Sequence, residues 1–195
     1  MSLLDRLIAL HNRTFSALDA ALSDWFLGLA ARLIFSSALF FYYFNSGISK
    51  LGEGFFGIFN PSAGAYGQIL PTIAEAVLYD TSQIAFFPWT IIVILGTVTE
   101  IILPFLILFG LVTRLASLAF IGFIAVQTYV DIAFHGLESE TIGAVFDQVH
   151  NSEILDYRLL SILPLILLIL KGPGKASLDY LLTKTIQPSG KLAAA

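Results

Sequence analysis

The chain has no cysteine in its 195 residues. That excludes disulfides, thiolate metal sites, iron–sulfur ligation and any thiol relay carried by this chain. Charge is scarce as well: Asp, Glu, Lys and Arg make up 12% of the sequence, about half the roughly 25% usual in soluble domains. The three histidines, His11, His135 and His150, lie outside the long apolar runs, so no pair is placed inside a span to ligate haem. This argues against an enzyme that performs redox catalysis alone. No basic run or basic–aromatic interleaving is present, which sets nucleic acid aside as a partner.

What the chain has in abundance is apolar sequence, 57% of all residues, with a mean hydropathy of +0.85. The apolar residues come in blocks of about twenty, the length of a helix that crosses about 30 Å of hydrocarbon. Four such spans are predicted, at about 29–51, 89–111, 115–134 and 152–171. The expected fold is therefore all-α: an integral membrane four-helix bundle over 29–182, preceded by an amphipathic interfacial helix at 1–28 and followed by a short cytoplasmic tail at 183–195. The fourth span is purely apolar only over 159–170, so it must carry Asp156 and Arg158 into its outer end, where both should face protein.

In the first segment Leu4, Ile8, Phe15, Leu18, Leu22, Trp25 and Leu29 recur at helical spacing, with Arg6, Asn12, Arg13 and Asp19 on the other side. A helix lying in the interface plane, with Trp25 at headgroup depth, is expected; a docking surface for a soluble partner is the sharper alternative. The first long apolar run starts only near Leu29, after Asp5, Asp19 and Asp24, so no cleavable signal peptide is expected.

Orientation follows from the basic residues. Arg6, Arg13 and Arg32 precede or open the first span, Arg114 sits in the turn after the second, and Lys171, Lys175, Lys184 and Lys191 follow the fourth. The loops 52–88 and 136–151 contain no Lys or Arg, so the positive-inside rule makes them external and both termini cytoplasmic. Lys50 and Arg158 stand at outer span ends, near Glu53 and Asp156 in sequence. In the first external loop an amphipathic stretch from Tyr66 to Tyr79 reads as a short helix that could cap the bundle.

Three patches carry a family resemblance: Arg32 leading into a span closed by Gly47, Lys50 and Leu51; Gly96, Glu100 and Pro104 followed by Gly110-Leu111-Val112-Thr113-Arg114; and Gly172-Pro173-Gly174 followed by Ser177-Leu178-Asp179. In order and spacing, over roughly residues 29–182, they resemble the DoxX family of small bacterial inner-membrane proteins. The resemblance implies a four-helix bundle in the bacterial inner (plasma) membrane. It also implies a setting beside redox systems, with relatives described as the small subunit of a thiosulfate:quinone oxidoreductase or as accessory proteins of periplasmic redox or metal-handling systems. It supplies no catalytic residues to carry over.

Glu100 lies at the middle of the second span, about 16 Å of helix from either end. Arg32, Arg114 and Lys50 are expected near the membrane surfaces, so a protonated Glu100 hydrogen-bonded to a neighbour is preferred over an ion pair. Pro104 cannot donate to the Glu100 carbonyl four residues earlier. Tyr42, Asn45, Ser46 and Ser49 on the first span, and Gln127, Asp131 and His135 on the third, form stripes in the outer half. Together these outline a polar cleft in which Glu100, Tyr42, Asn45, Gln127 and Asp131 are the candidate binding residues. It could hold a quinone-like headgroup or bound lipid, a proton path or a small polar solute. Interhelical hydrogen bonding that only fixes the bundle is the bland alternative. His135 and His150 flank an acidic loop with Glu138, Glu140, Asp147 and Glu153, but the spacing matches no metal motif, and a solvated loop is expected.

The functional expectation is an accessory or anchoring subunit of a membrane redox complex, partnered by the bilayer and by other membrane or periplasmic subunits. The alternative is a small transporter or permeation protein for a proton or polar solute.

Overall fold

The computed structural model describes residues 2–186; Ser189 and Lys191 of the expected tail lie outside the described residues. The described chain is all-helical: α1 (Leu3–Leu22), α2 (Phe26–Ser49), α3 (Ala63–Ile69), α4 (Pro71–Ala76), α5 (Ile91–Phe109), α6 (Thr113–Phe134), α7 (Ser139–Ile142), α8 (Leu155–Lys171) and α9 (Leu178–Ile186). Among the described residues, three helices are long and apolar enough to cross a membrane: Phe26–Ser49, Phe86–Phe109, which adds an irregular turn to α5, and Thr113–Phe134. Helix α8 begins at Leu155, and Ser152 just ahead of it bonds reciprocally with Asp156 in its first turn: the Ser152 hydroxyl and N–H donate to the Asp156 carboxylate, and the Asp156 N–H donates to the Ser152 hydroxyl. Its 17 residues give about 26 Å of helix.

Helices α2, α5, α6 and α8 pack in a ring, α2 against α5 and α8, and α6 against the same two. Their shared core holds Phe35, Tyr43, Ile107, Phe120, Ile124, Leu165 and Leu168. Phe120 is its centre, meeting Phe35 and Tyr43 edge to face at centroid distances of 4.9 and 4.8 Å. The outer faces are equally apolar. Leu33, Ile34, Phe41, Leu95, Leu118, Val126, Leu160 and Leu163 are all exposed, a pattern no water-soluble bundle keeps. Helix α1 opens with a capping box between Ser2 and Asp5 and buries no residue.

The stretch expected as one helix from Tyr66 to Tyr79 is two. Pro71 disfavours helical geometry at the residue before it, and Leu70 sits at φ −133°, ψ 59°, so the chain breaks there and restarts as α4. Helices α3 and α4 enclose a second small core of Ala65, Tyr66, Ala74, Ile84 and Val93 against the first half of α5. The Tyr66 hydroxyl donates to Thr90 Oγ1 at 2.9 Å.

The helix ends away from this cap meet at Arg32. Helix α5 stops because Gly110 takes φ +65°, which permits the paired terminal bonds Gly110 N–H to Ile107 O and Leu111 N–H to Leu106 O. Arg32, 6% exposed, then donates to the carbonyls of Ile107, Leu108, Pro173 and Ala176, joining α2 to the end of α5 and to the segment after α8. Asp179 accepts from Val112 N–H, Thr113 N–H and Thr113 Oγ1 at 2.6–2.8 Å, holding Val112 at φ +48° and capping α6. The Ser177 hydroxyl accepts from Tyr180 N–H, as expected of an N-cap. Residues from all three sequence patches noted above thus form one physical junction.

Candidate functional site

Helix α2 ends beside the middle of α5, not at its outer end. Gly47 makes the contact: a Cβ there would lie 3.2 Å from Cβ of Glu100 and 3.3 Å from the Ile101 nitrogen, so only glycine lets the two backbones come this close. About 14 Å of α5, from Ile91 to Glu100, continues past this level with α3 alongside. The Lys50 side chain, capping α2, is thereby delivered to Glu100. Its Nζ lies 2.7 Å from Glu100 Oε2 and 2.6 Å from Ser46 Oγ, with the Lys50 and Glu100 side chains 3% and 6% exposed.

This corrects the expectation that Glu100 has no basic neighbour in reach. Position along its own span places Lys50 near the surface, whereas the close approach at Gly47 sets the end of α2 beside the middle of α5. The sequence neighbours also fail as partners. Lys50 pairs with Glu100 and not Glu53. Arg158 pairs with Asp131 on α6 and not with Asp156, and it also donates to Thr128 Oγ1 at 2.9 Å.

The two ion pairs lie on the wall of one cavity of about 1,220 Å³, bounded by α2, α5, α6, the start of α8 and the α3–α4 cap. Of the candidate binding residues, Tyr42, Glu100, Gln127 and Asp131 line it. Asn45 does not: it is exposed, as is Ser49, while Tyr42, Ser46 and Lys50 form the lining stripe at i, i+4, i+8. That spacing was the available signal for Lys50, which position along the span had masked. His135 reaches the cap, its Nε2 lying 3.1 Å from the Gln68 carbonyl oxygen. Since a carbonyl only accepts, Nε2 carries the hydrogen. Among the described residues, no group of three or more His, Asp or Glu is placed to hold a metal ion.

Most of the lining is apolar, including Ile69, Trp89, Ile92, Leu103 and Phe123. Its four central charges are paired within the wall, so a ligand meets directed hydrogen-bonding groups and little net charge. Gln127 Oε1 is buried with no hydrogen-bond partner among the described residues. A buried, unpaired amide oxygen is costly. Arg158 adds donor capacity, because its bonds to Thr128 and Asp131 leave others of its five N–H groups. The arrangement can bind a neutral, flat or compact head with both acceptors and donors, set in an apolar surround.

No protein-family model, curated protein or solved structure matches the chain.

Proposed function

We propose that this protein is a DoxX-like accessory subunit of a redox complex in the bacterial inner membrane, which holds the head of a quinone-type lipophilic cofactor in the α2–α5–α6–α8 cavity. In this reading α8 is the fourth span, with the cap side external and both termini cytoplasmic, and α1 lies along the cytoplasmic interface. A 17-residue α8 is within the usual lower range for a crossing.

One observation carries the ligand assignment. An Arg158 with spare donors and the Gln127 side chain line the same largely apolar cavity, in which Lys50 is paired with Glu100 and Arg158 with Asp131. Arg158 would meet a carbonyl oxygen of the oxidised head, and the Gln127 amide a hydroxyl of the reduced one. When bound, the cofactor supplies two-electron, two-proton carrier chemistry. The chain's own residues bind the head, exclude water through Trp89 and Phe123, and offer Glu100 and Asp131 as nearby proton acceptors. Against a through-path for solutes, Phe35, Ile107, Phe120 and Leu168 fill the bundle between the cavity and the Arg32 junction.

The test uses the full chain in nanodiscs with Trp25→Phe, leaving Trp89, in the cavity lining, as the only tryptophan. Decylubiquinone should quench Trp89 saturably, and Arg158→Leu should weaken that quenching at least tenfold. Linear quenching of equal slope in both proteins would show partitioning only and sink the assignment. The subunit claim is tested separately by mild solubilisation, where purification as a lone homo-oligomer would refute it.

A further inference from the structure

The cavity is not closed on all sides. On α5 its lining runs through Ile92, Leu95, Gly96, Thr99 and Leu103, and on α6 through Ala119, Gly122, Val126 and Val130. Each is a single helical stripe of about 16 Å, and the two helices are joined by the tight Gly110–Val112 turn, so the stripes run side by side. Ile92, Leu95, Ala119, Gly122 and Val126 are exposed although they line the cavity, so the gap between α5 and α6 opens sideways through the outer surface of the bundle. Gly122 leaves the opening wide: a Cβ there would meet nothing within 4 Å. The polar groups, in contrast, gather on the inner side, toward α2 and α8.

We infer that the α5–α6 gap is a lateral portal and tail groove, through which the long apolar chain of the bound molecule passes into the surrounding lipid while its head lies at Gln127 and Arg158. The inference rests on the quinone-type reading for the head and adds the tail and the direction of entry. A neutral head on a long hydrocarbon or isoprenoid tail fits a cavity polar at one end and open to lipid at the other. A free small solute has no use for about 16 Å of apolar groove ending near Leu103 and Ala119. Small residues on the α6 rim, Ala119 and Gly122, keep the helices from sealing it.

The experiment fills the groove without touching the polar end. In the Trp25→Phe background in nanodiscs, Gly122→Phe should weaken decylubiquinone binding, read by Trp89 quenching, at least tenfold. It should leave the affinity for tail-less ubiquinone-0 within twofold. Melting temperatures close to the parent's are expected, because position 122 faces open space. Equal effects of Gly122→Phe on both quinones, or none on the decyl compound, would overturn the portal. If neither quinone binds the parent, the head assignment fails while the groove remains testable. Mass spectrometry of the purified proteins should then find one fewer retained acyl lipid in Gly122→Phe, and equal lipid counts would overturn it.

Discussion

Removing either member of the Lys50–Glu100 pair should destabilise the protein strongly, and removing both should restore most of the loss. At 2.7 Å the gross attraction is about 6 kcal/mol for an effective dielectric of about 20. Desolvating each ion costs several kcal/mol, so the net worth of the pair is small. A single deletion keeps one desolvation cost and loses the attraction. Lys50→Met leaves a carboxylate 6% exposed with no cation, and Glu100→Gln leaves an ammonium 3% exposed with no anion beside it. Each should cost about 3–5 kcal/mol, with Glu100→Gln at the low end because the amide oxygen still accepts from Lys50. The double variant Lys50→Met/Glu100→Gln should lie within about 2 kcal/mol of the parent, giving a coupling energy larger than the 0.5–3 kcal/mol typical of contacting residues. The assay is reversible unfolding of all four proteins in mixed micelles against the mole fraction of dodecyl sulfate, followed by far-UV circular dichroism. Strict additivity, or a single-variant loss below about 1 kcal/mol, would refute the buried-pair account and return Glu100 to the neutral, hydrogen-bonded state that its position along the span alone suggests.

Other outcomes can be checked independently. Arg32→Lys should lower stability by about 2–4 kcal/mol, because one ammonium cannot meet four carbonyls on two segments, while Arg114→Lys, at an exposed position, should change it by less than about 0.5 kcal/mol; equal melting temperatures would contradict the junction. Val112→Gly should stabilise by about 1 kcal/mol, since valine is held at φ +48° where glycine is unstrained, and Asp179→Ala should cost about 1–2 kcal/mol through loss of the α6 cap. Chemical unfolding of both variants reads the two signs, and a destabilised Val112→Gly would show that the turn needs the side chain. For orientation, single cysteines at Ser62 or Ser139 should react with a membrane-impermeant thiol reagent in intact spheroplasts and one at Ser2 should not; labelling at Ser2 with protection at Ser139 would invert the topology.

What the sequence determined by itself is the set of helices. A chain with apolar runs of about twenty residues, few charges and no cysteine must satisfy its backbone within each segment, and the long helices α2, α5 and α6 begin and end within about three residues of the positions read from hydropathy. Local chemistry was legible at Ser177, which caps α9 through a neighbour three residues away. Even the outline of the cavity followed from periodicity, since Glu100, Gln127 and Asp131 stand on inward faces whatever their partners. Tertiary structure alone decided who pairs with whom. The axial register of α2 on α5 is set at the Gly47 contact, which cannot be counted along a single span. Rotation of α2 about its own axis placed Ser46 in the wall and its neighbour Asn45 outside it, because adjacent residues on a helix lie about 100° apart and only packing against α5 and α8 selects which one faces in.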